Sequence, residues 1–288
     1  MALARVLLAD AAARLRAAGV PSPEHDAGEL LAHVLRTSRS QLFLRDEVAD
    51  DRAADYDALV ARRAAREPLQ HLLGTAWFRH VSVEVGPGVF VPRPETELLA
   101  GWAVDQARQV QQVRRDAPPV VVDLCTGSGV IARSIADEVP QARVFAVELD
   151  PQAHAWAERN LSGTAVDLRL GDLATAFDDL RGSVDVLVSN PPYVPLEAWE
   201  SVAVEARDHD PHVALFSGDD GLEAIRAIER RGVELLKPGG VVGVEHADVQ
   251  GDSAPAVFSS SGRWEEVRDH RDLAGRPRYL TARRPRGE

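Results

Sequence analysis

The chain has 288 residues, 45% of them hydrophobic and 5% aromatic, an ordinary composition for a globular protein long enough to hold two domains. Its net charge of −12 argues against a broad phosphate-backbone footprint, and its single cysteine, Cys125, excludes an intramolecular disulfide. Met1 to Val20 carries Arg5, Asp10, Arg14 and Arg16 rather than the apolar run of a signal peptide, and no stretch approaches the roughly 18 apolar residues of a membrane span. A cytoplasmic setting without membrane attachment is expected.

Residues 2–66 read as helices. Leu3, Leu7, Leu8 and Leu15 form one apolar stripe. Ser22 is placed to cap a second helix, with Pro23 at its first position and Leu30, Leu31, Val34 and Leu35 on its buried face. A third starts at Asp50 or Asp51, runs through Tyr56, Leu59 and Val60, and ends before Glu67-Pro68. Val81, Val83 and Val85 alternate, Gly86-Pro87-Gly88 reads as a turn, and Val89-Phe90-Val91 reads as a returning strand, so a hairpin is expected with Trp77 and Phe78 packed into it. From Pro94 strands alternate with helices. The expected elements are a helix over 95–111, strand 120–124, a helix to about Glu138, strand 143–148, a helix from Pro151, strands 166–170 and 184–189, helix 219–236, strand 240–246, and strands near 263–270 and 277–283. Apolar strands between helices predict a mostly parallel α/β sheet covered on both faces. The expected division is a helical domain over 1–67, a hairpin linker over 68–93 and a catalytic domain over 94–288.

Two loops carry chemistry. Asp123-Leu124-Cys125-Thr126-Gly127-Ser128-Gly129 joins a strand to a helix, where glycine lets backbone approach a ligand. Glu148 ends the next strand and can accept from ribose hydroxyls, and Asp172 follows the third strand near the place of an adenine edge. The loop lacks the G-x-G-x-x-G of dinucleotide sites, and Asp123 suits a cationic methionine moiety better than a phosphate. Asn190-Pro191-Pro192-Tyr193 directly follows the buried strand 184–189. Its prolines remove two N–H donors, leaving the Asn190 side-chain oxygen and the Pro191 carbonyl as acceptors for a planar NH2 group, with Tyr193 available to stack on it. Holding both N–H bonds turns the nitrogen lone pair outward, which suits methyl transfer. By itself this loop leaves adenine, cytosine and glutamine open as acceptors.

With these residues in place, the chain resembles the bacterial release factor glutamine methyltransferases of the HemK type. The likeness runs from about Pro68 to the C-terminus through Pro68 to Gly74, Val91-Pro92-Arg93-Pro94-Glu95-Thr96-Glu97, the glycine loop, Asn190 to Tyr193, Ala214-Leu215-Phe216, Leu236-Lys237-Pro238-Gly239-Gly240 and Asp272-Leu273-Ala274-Gly275-Arg276. The resemblance implies a small helical substrate-recognition domain, a hairpin linker and a Rossmann-like seven-stranded class I methyltransferase sheet. It implies transfer of a methyl group from S-adenosylmethionine, leaving S-adenosylhomocysteine, to N5 of the glutamine in the Gly-Gly-Gln motif of peptide chain release factors. By position, Asp123, Cys125, Thr126, Gly127, Ser128, Gly129, Glu148, Asp172, Leu173 and Asn190 would line the cofactor. Asn190, Pro191, Pro192 and Tyr193 would grip the glutamine, with Arg93 and Glu95 beside them, and Asn190, Pro191 and Tyr193 would carry catalysis. Cys125 stands where the family usually has glycine, Leu173 where some members have an aromatic residue, and His246 after Glu245 receives no role.

Asp208-His209-Asp210-Pro211-His212 reads as a polar loop rather than a metal site, since methyl transfer from a sulfonium needs no metal. The alternatives are a nucleic-acid adenine or cytosine N-methyltransferase, an inactive methyltransferase-like scaffold, and a nicotinamide-dependent oxidoreductase. The first is opposed by the acidic charge and the lack of a basic target-recognition region. The expected protein is a monomer that uses no metal, binds a protein substrate and makes no direct nucleic-acid contact.

Overall fold

The computed structural model describes residues 1–287. They divide into two compact units: Met1–Ala76 with Val85–Pro87 and Ala203–His209, and Trp77–Glu84 with Gly88–Val202 and Asp210–Glu288.

In the first unit β1 (Ala2–Leu3) and β2 (Glu47–Val48) make a short antiparallel pair that fixes the start of α1 (Ala4–Ala17). Helices α2 (Pro23–Leu35), α3 (Asp50–Ala64) and α4 (Leu69–Leu73) complete the N-terminal bundle. Pro23 opens α2 as expected, but the Ser22 side chain makes no capping bond; Glu24 and Asp26 in the first turn supply the favourable negative charge instead. Leu15, Leu30, Leu31, Tyr56, Val60 and Leu72 share one apolar core. The Tyr56 hydroxyl donates to the Ala27 carbonyl at 3.0 Å, so the large ring is buried without an orphaned polar atom.

The unit also contains α8 (Val204–His209), far along the chain. Arg63 explains why. Its guanidinium is buried and donates to Asp26 at 2.8 Å and to Glu205 on α8 at 3.0 Å, while Arg66 donates to both Glu205 oxygens at 2.8 and 2.6 Å. These bonds hold Glu205 well below its ordinary value, at about 2, against the opposing effect of burial.

β3 (Thr75–Phe78) and β4 (Val81–Glu84) form a two-stranded sheet. The hairpin is real but its turn is at Arg79-His80, with Arg79 in the left-handed region, and not at Gly86 to Gly88. Val89 and Val91 are fully buried without joining a strand, so their apolar character reflects burial rather than pairing. Phe78 is buried as expected, whereas Trp77 is 79% exposed, because alternation sends it to the opposite face.

The second unit is built on a seven-stranded sheet in the order β10-β11-β9-β8-β5-β6-β7. Its strands are β5 (Val120–Leu124), β6 (Arg143–Glu148), β7 (Asp167–Leu170), β8 (Val184–Ser189), β9 (Leu236–Glu245), β10 (Glu265–Arg271) and β11 (Pro277–Arg283). β5 to β9 run parallel, and β11 and β10 add an antiparallel edge. Helices α5 (Thr96–Val113), α6 (Val130–Glu138), α7 (Pro151–Leu161), α9 (Glu223–Leu235) and α10 (Ser253–Ser259) connect and cover them. The main core gathers Val122, Leu124, Val147, Leu187, Ile225, Val242 and Phe258. α9 begins later than expected, because Gly221 holds a positive φ just ahead of it. β9 starts four residues before the expected 240, with Lys237 pairing to the buried Asp185 at 2.6 Å. Among the described residues no helix is long and apolar enough to cross a membrane.

Candidate active site

Register places the important residues in one row. Leu124 of β5 is partnered with Val147 of β6 and with Ser189 of β8, and Ser189 is partnered with Val244 of β9. The next residue on each strand is therefore Cys125, Glu148, Asn190 or Glu245. Four residues from four parts of the chain leave adjacent parallel strands side by side at their carboxyl ends, where sheets of this kind hold ligands.

The Asp123 to Gly129 loop is shaped by Asp123 itself. That carboxylate is fully buried, accepts from the Thr126 hydroxyl at 2.6 Å and the Ala132 N–H at 3.2 Å, and its Oδ1 has no partner. Burial pushes it up to about 7, Thr126 and Ala132 oppose this, and Glu148 adds to it. Gly127 has a positive φ, and a Cβ there would meet nothing within 4 Å, so the loop faces open space. Cys125 also adopts a positive φ of 59°. Glycine is favoured at such a position, which accounts for Cys125 being the departure from the family pattern. Burial pushes its thiol above the ordinary range, with Glu148 the next cause, so it is no reactive thiolate.

Glu148 is held by backbone. Its Oε2 accepts from Gly127 at 2.8 Å and its Oε1 from Leu149 and Asp150 at 2.8 and 2.9 Å. A carboxylate has about four lone-pair positions, so three are taken and one remains for a ribose hydroxyl. Burial raises its pKa, opposed by these three bonds. Asp172 is exposed and caps its own turn through Ala174 at 2.8 Å, while the Gly171 N–H bonds the Glu148 carbonyl at 2.8 Å. Leu173 packs against the main core. An orphaned acidic oxygen, open space over Gly127 and one spare acceptor on Glu148 fit a cationic adenosyl cofactor. They do not form a pyrophosphate cradle.

At the start of the Asn190 to Tyr193 loop, the Asn190 Nδ2 donates to the Thr96 hydroxyl at 3.2 Å, and its Oδ1 has no protein partner among the described residues. Pro191 is buried and Pro192 half-buried. The Tyr193 hydroxyl donates to Glu245 Oε1 at 3.3 Å, so the ring is fixed at its far end. The Tyr193 carbonyl accepts from Gln250 Nε2 at 3.0 Å, and a Cβ on Gly221 would fall 2.3 Å from that carbonyl. Only glycine at 221 lets the chain lie this close. Glu245 is almost wholly buried and is pushed up to about 7 by burial, with Thr96, Arg278 and Tyr193 opposing.

Arg93 and Glu95 are not brought to Asn190 by any recorded contact. Arg93 bonds the buried Asp210 at 2.8 Å and lies over the Phe90 ring, and Glu95 is exposed at the start of α5. Asp210 is pushed up to about 6 by burial, opposed by Arg93. The residue of that segment that reaches the site is Thr96. Thr96 lies in the 93–97 segment that the sequence singled out, though only Arg93 and Glu95 were expected beside the substrate, and Gly221 lies in a stretch that resembles the family. Glu245 and Gln250 were given no role by the sequence. Only the switch from apolar strand to acid at Glu245, matching Glu148, was a usable signal. His246 has a structural role: its ring nitrogens lie 2.9 Å from the Ala247 carbonyl and 3.1 Å from Asp269 of β10.

The family described as PrmC N-terminal domain matches residues 6–74, and the family described as methyltransferase small domain matches residues 103–208. A release factor glutamine methyltransferase of Streptomyces coelicolor is 55% identical over 96% of this chain and 96% of its own. A 4-amino-L-phenylalanine/4-methylamino-L-phenylalanine methyltransferase of Streptomyces pristinaespiralis is 46% identical over 72% of this chain and 70% of its own. The catalytic domain of hMettl16, solved with the MAT2A 3′UTR hairpin 6, superposes with a TM-score of 0.54 over 80% of this chain and 82% of its own, at 15% identity, a likeness of fold alone.

Proposed function

The chain belongs to the release factor glutamine methyltransferases, and on that footing we propose that it transfers a methyl group from S-adenosylmethionine to N5 of the glutamine in the Gly-Gly-Gln motif of peptide chain release factors. The observation that supports this reading is the row at the strand ends, in which Cys125 and Glu148, next to the Asp123 loop, stand beside Asn190, the start of an acceptor-rich loop whose two prolines have no N–H. S-adenosylmethionine supplies an electrophilic methyl group on a sulfonium. Asp123, buried beneath the loop, would add negative charge under the cationic methionine moiety, Glu148 would take a ribose hydroxyl, and Asp172 and Leu173 would line the adenine.

Asn190 Oδ1 and the Pro191 carbonyl accept the two N–H bonds of the glutamine amide. An amide nitrogen is a poor nucleophile because its lone pair is delocalised. Fixing both hydrogens turns the lone pair toward the methyl donor, and positioning of this kind is worth several kcal/mol. As the N–CH3 bond forms the S–CH3 bond breaks, S-adenosylhomocysteine is left, and one of the two amide protons passes to water. Tyr193, tethered through its hydroxyl, covers one face of the planar group. The helical residues 1–67 serve substrate recognition and 68–93 act as the linker to the catalytic domain. The acidic balance favours a protein substrate over a nucleic acid, and the enzyme works as a cytoplasmic monomer without a metal.

Incubation with labelled S-adenosylmethionine and a release factor tests this. Label should enter the wild-type factor and not one whose motif glutamine is replaced. Label persisting after the replacement, or appearing instead on 4-amino-L-phenylalanine or a duplex, would reject the proposed acceptor.

A further inference from the structure

We propose that Gln250 is a positioning residue for methyl transfer: its side-chain amide pins the Tyr193 carbonyl and so fixes the far end of the Asn190 to Tyr193 loop. The inference rests on the reading that this loop receives the glutamine amide.

β9 ends at Glu245, and after His246 and Ala247 the chain makes a single 3-10 turn, Asp248–Gln250. Two hydrogen bonds between the same two residues close it. The Gln250 N–H donates to the Ala247 carbonyl at 2.9 Å, and the Ala247 N–H donates to the Gln250 side-chain oxygen at 3.0 Å. A backbone N–H can only donate, so this contact commits Oε1 as the acceptor and settles which way the amide faces. Nε2 is therefore turned to the other side, where it meets carbonyl oxygens: Tyr193 at 3.0 Å and Asp220 at 3.4 Å. Gln250 is 4% exposed, so these groups depend on the amide rather than on water.

Three segments meet at the Tyr193 carbonyl: the loop after β8, the turn after β9 and the turn ahead of α9. There is no slack between them. A Cβ on Gly221 would fall 2.3 Å from the Tyr193 carbonyl and 2.8 Å from Gln250 Nε2. Tyr193 is thus held at both ends, through its carbonyl by Gln250 and through its hydroxyl by Glu245 Oε1 at 3.3 Å. Beyond it the Val194 N–H donates to Leu215 at 2.8 Å and the Val194 carbonyl accepts from Ser217 at 3.0 Å. The side-chain partners of Gln250 are Ala247, Tyr193 and Asp220, which lie outside the glycine loop and Glu148, so its loss should act on the substrate side.

Gln250→Leu removes both donor and acceptor. It should lower kcat for the release factor about tenfold while leaving S-adenosylmethionine affinity, by calorimetry, within about twofold. Gln250→Glu keeps the shape. Ionised, it still accepts from Ala247 but sets a second acceptor against the Tyr193 carbonyl; protonated, it regains a donor. The ratio of wild-type to Gln250→Glu rates should therefore shrink as pH falls, and the ratio to Gln250→Leu should not. The charged groups on the segments packed there are Asp219 and Asp220 ahead of α9, Glu245, His246 and Asp248 around the turn, and Arg278 of β11. Wild type and variant share them, so they cancel in the ratio.

A second arm needs no substrate. With a carbon-13 label on tyrosine carbonyls the chain's three tyrosines give three signals, and the one missing from Tyr193→Phe belongs to Tyr193. That signal should move upfield in Gln250→Leu as its hydrogen bond is lost, while that of Tyr56 stays. Unchanged kcat in Gln250→Leu, an equal loss of cofactor affinity, a wild-type to Gln250→Glu ratio flat with pH, or a Tyr193 signal indifferent to residue 250 would overturn the proposal. If Gln250→Leu does not fold, the pH ratio and the same signal in Gln250→Glu decide. A wild-type enzyme inactive on release factors would reject the functional reading instead, and the Tyr193 signal would still report on the contact.

Discussion

Buried carboxylates behave in opposite ways in the helical unit and at the carboxyl edge of the sheet. Asp26 is buried and Glu205 partly buried against Arg63 and Arg66, and Glu205 is drawn down to about 2. Asp123 and Glu245 are buried more completely, with no bonded cation, and are pushed up to about 7. The contrast is not between units as such, because away from the carboxyl edge the second unit also pairs its acids: Asp185 of β8 with Lys237 at 2.6 Å and Glu138 of α6 with Arg79 at 2.7 Å. Acids that only hold structure are neutralised by arginine or lysine. The acids left without one, Asp123 and Glu245, sit at the carboxyl ends of the parallel strands.

The largest effect should come from breaking the paired side. Arg63→Met leaves Asp26 and part of Glu205 without their cation, and should cost about 3–5 kcal/mol of stability, read by denaturant unfolding. An unchanged midpoint would mean that the buried network contributes no structure. On the unpaired side, Asn190→Ala should lower kcat/KM for the release factor about a hundredfold, with the melting temperature nearly unchanged, since it removes positioning rather than core.

Gly221→Ala should follow. Its Cβ meets the Tyr193 carbonyl and its φ is positive, so the loop must shift; about 1–3 kcal/mol of stability and a matching fall in methylation are expected.

The pH dependence sharpens the comparison, because the signs oppose. Asp123 and Glu245 have raised values, so the stability they confer is full below their ordinary values of 3.8 and 4.5 and is lost as pH rises through about 7. Glu205 has a lowered value, so its contribution is full above 4.5 and is lost as pH falls through about 2. Hydrogen exchange resolved by segment, corrected for intrinsic rates, should show β5 and β9 weakening from pH 4 to 7 while α3 and α8 weaken only in acid. Parallel pH profiles in the two regions would contradict these assignments. The smallest effect belongs to the surface pair Arg14–Asp57, whose removal by Arg14→Ala should change stability by about 1 kcal/mol or less in a thermal melt.

Much of the fold was legible because its signals are local. Strand 184–189 and the strands at 120–124 and 143–148 are mostly apolar, valine-rich runs, and the structure has them at those limits. The 86–88 turn was misread because Val89 and Val91 look like strand residues whether or not they pair. In the site, Glu148 and Asn190 stood out because each ends an apolar strand beside a distinctive loop. Thr96 stood out only as part of the 93–97 segment, where the charged Arg93 and Glu95 drew the expectation and a threonine has an ordinary explanation as a helix-initiating residue.

The sequence by itself determined the element types, the family and the two loops that carry chemistry, because periodicity and motif residues are properties of neighbours along the chain. Tertiary structure alone decided that α8 joins the helical unit through Glu205, and that Cys125, Glu148, Asn190 and Glu245 stand in one row. Both depend on strand register and on which charges meet in a buried place. The separations run from 23 positions (Cys125 to Glu148) to 142 (Arg63 to Glu205) along the chain, and no local pattern encodes them.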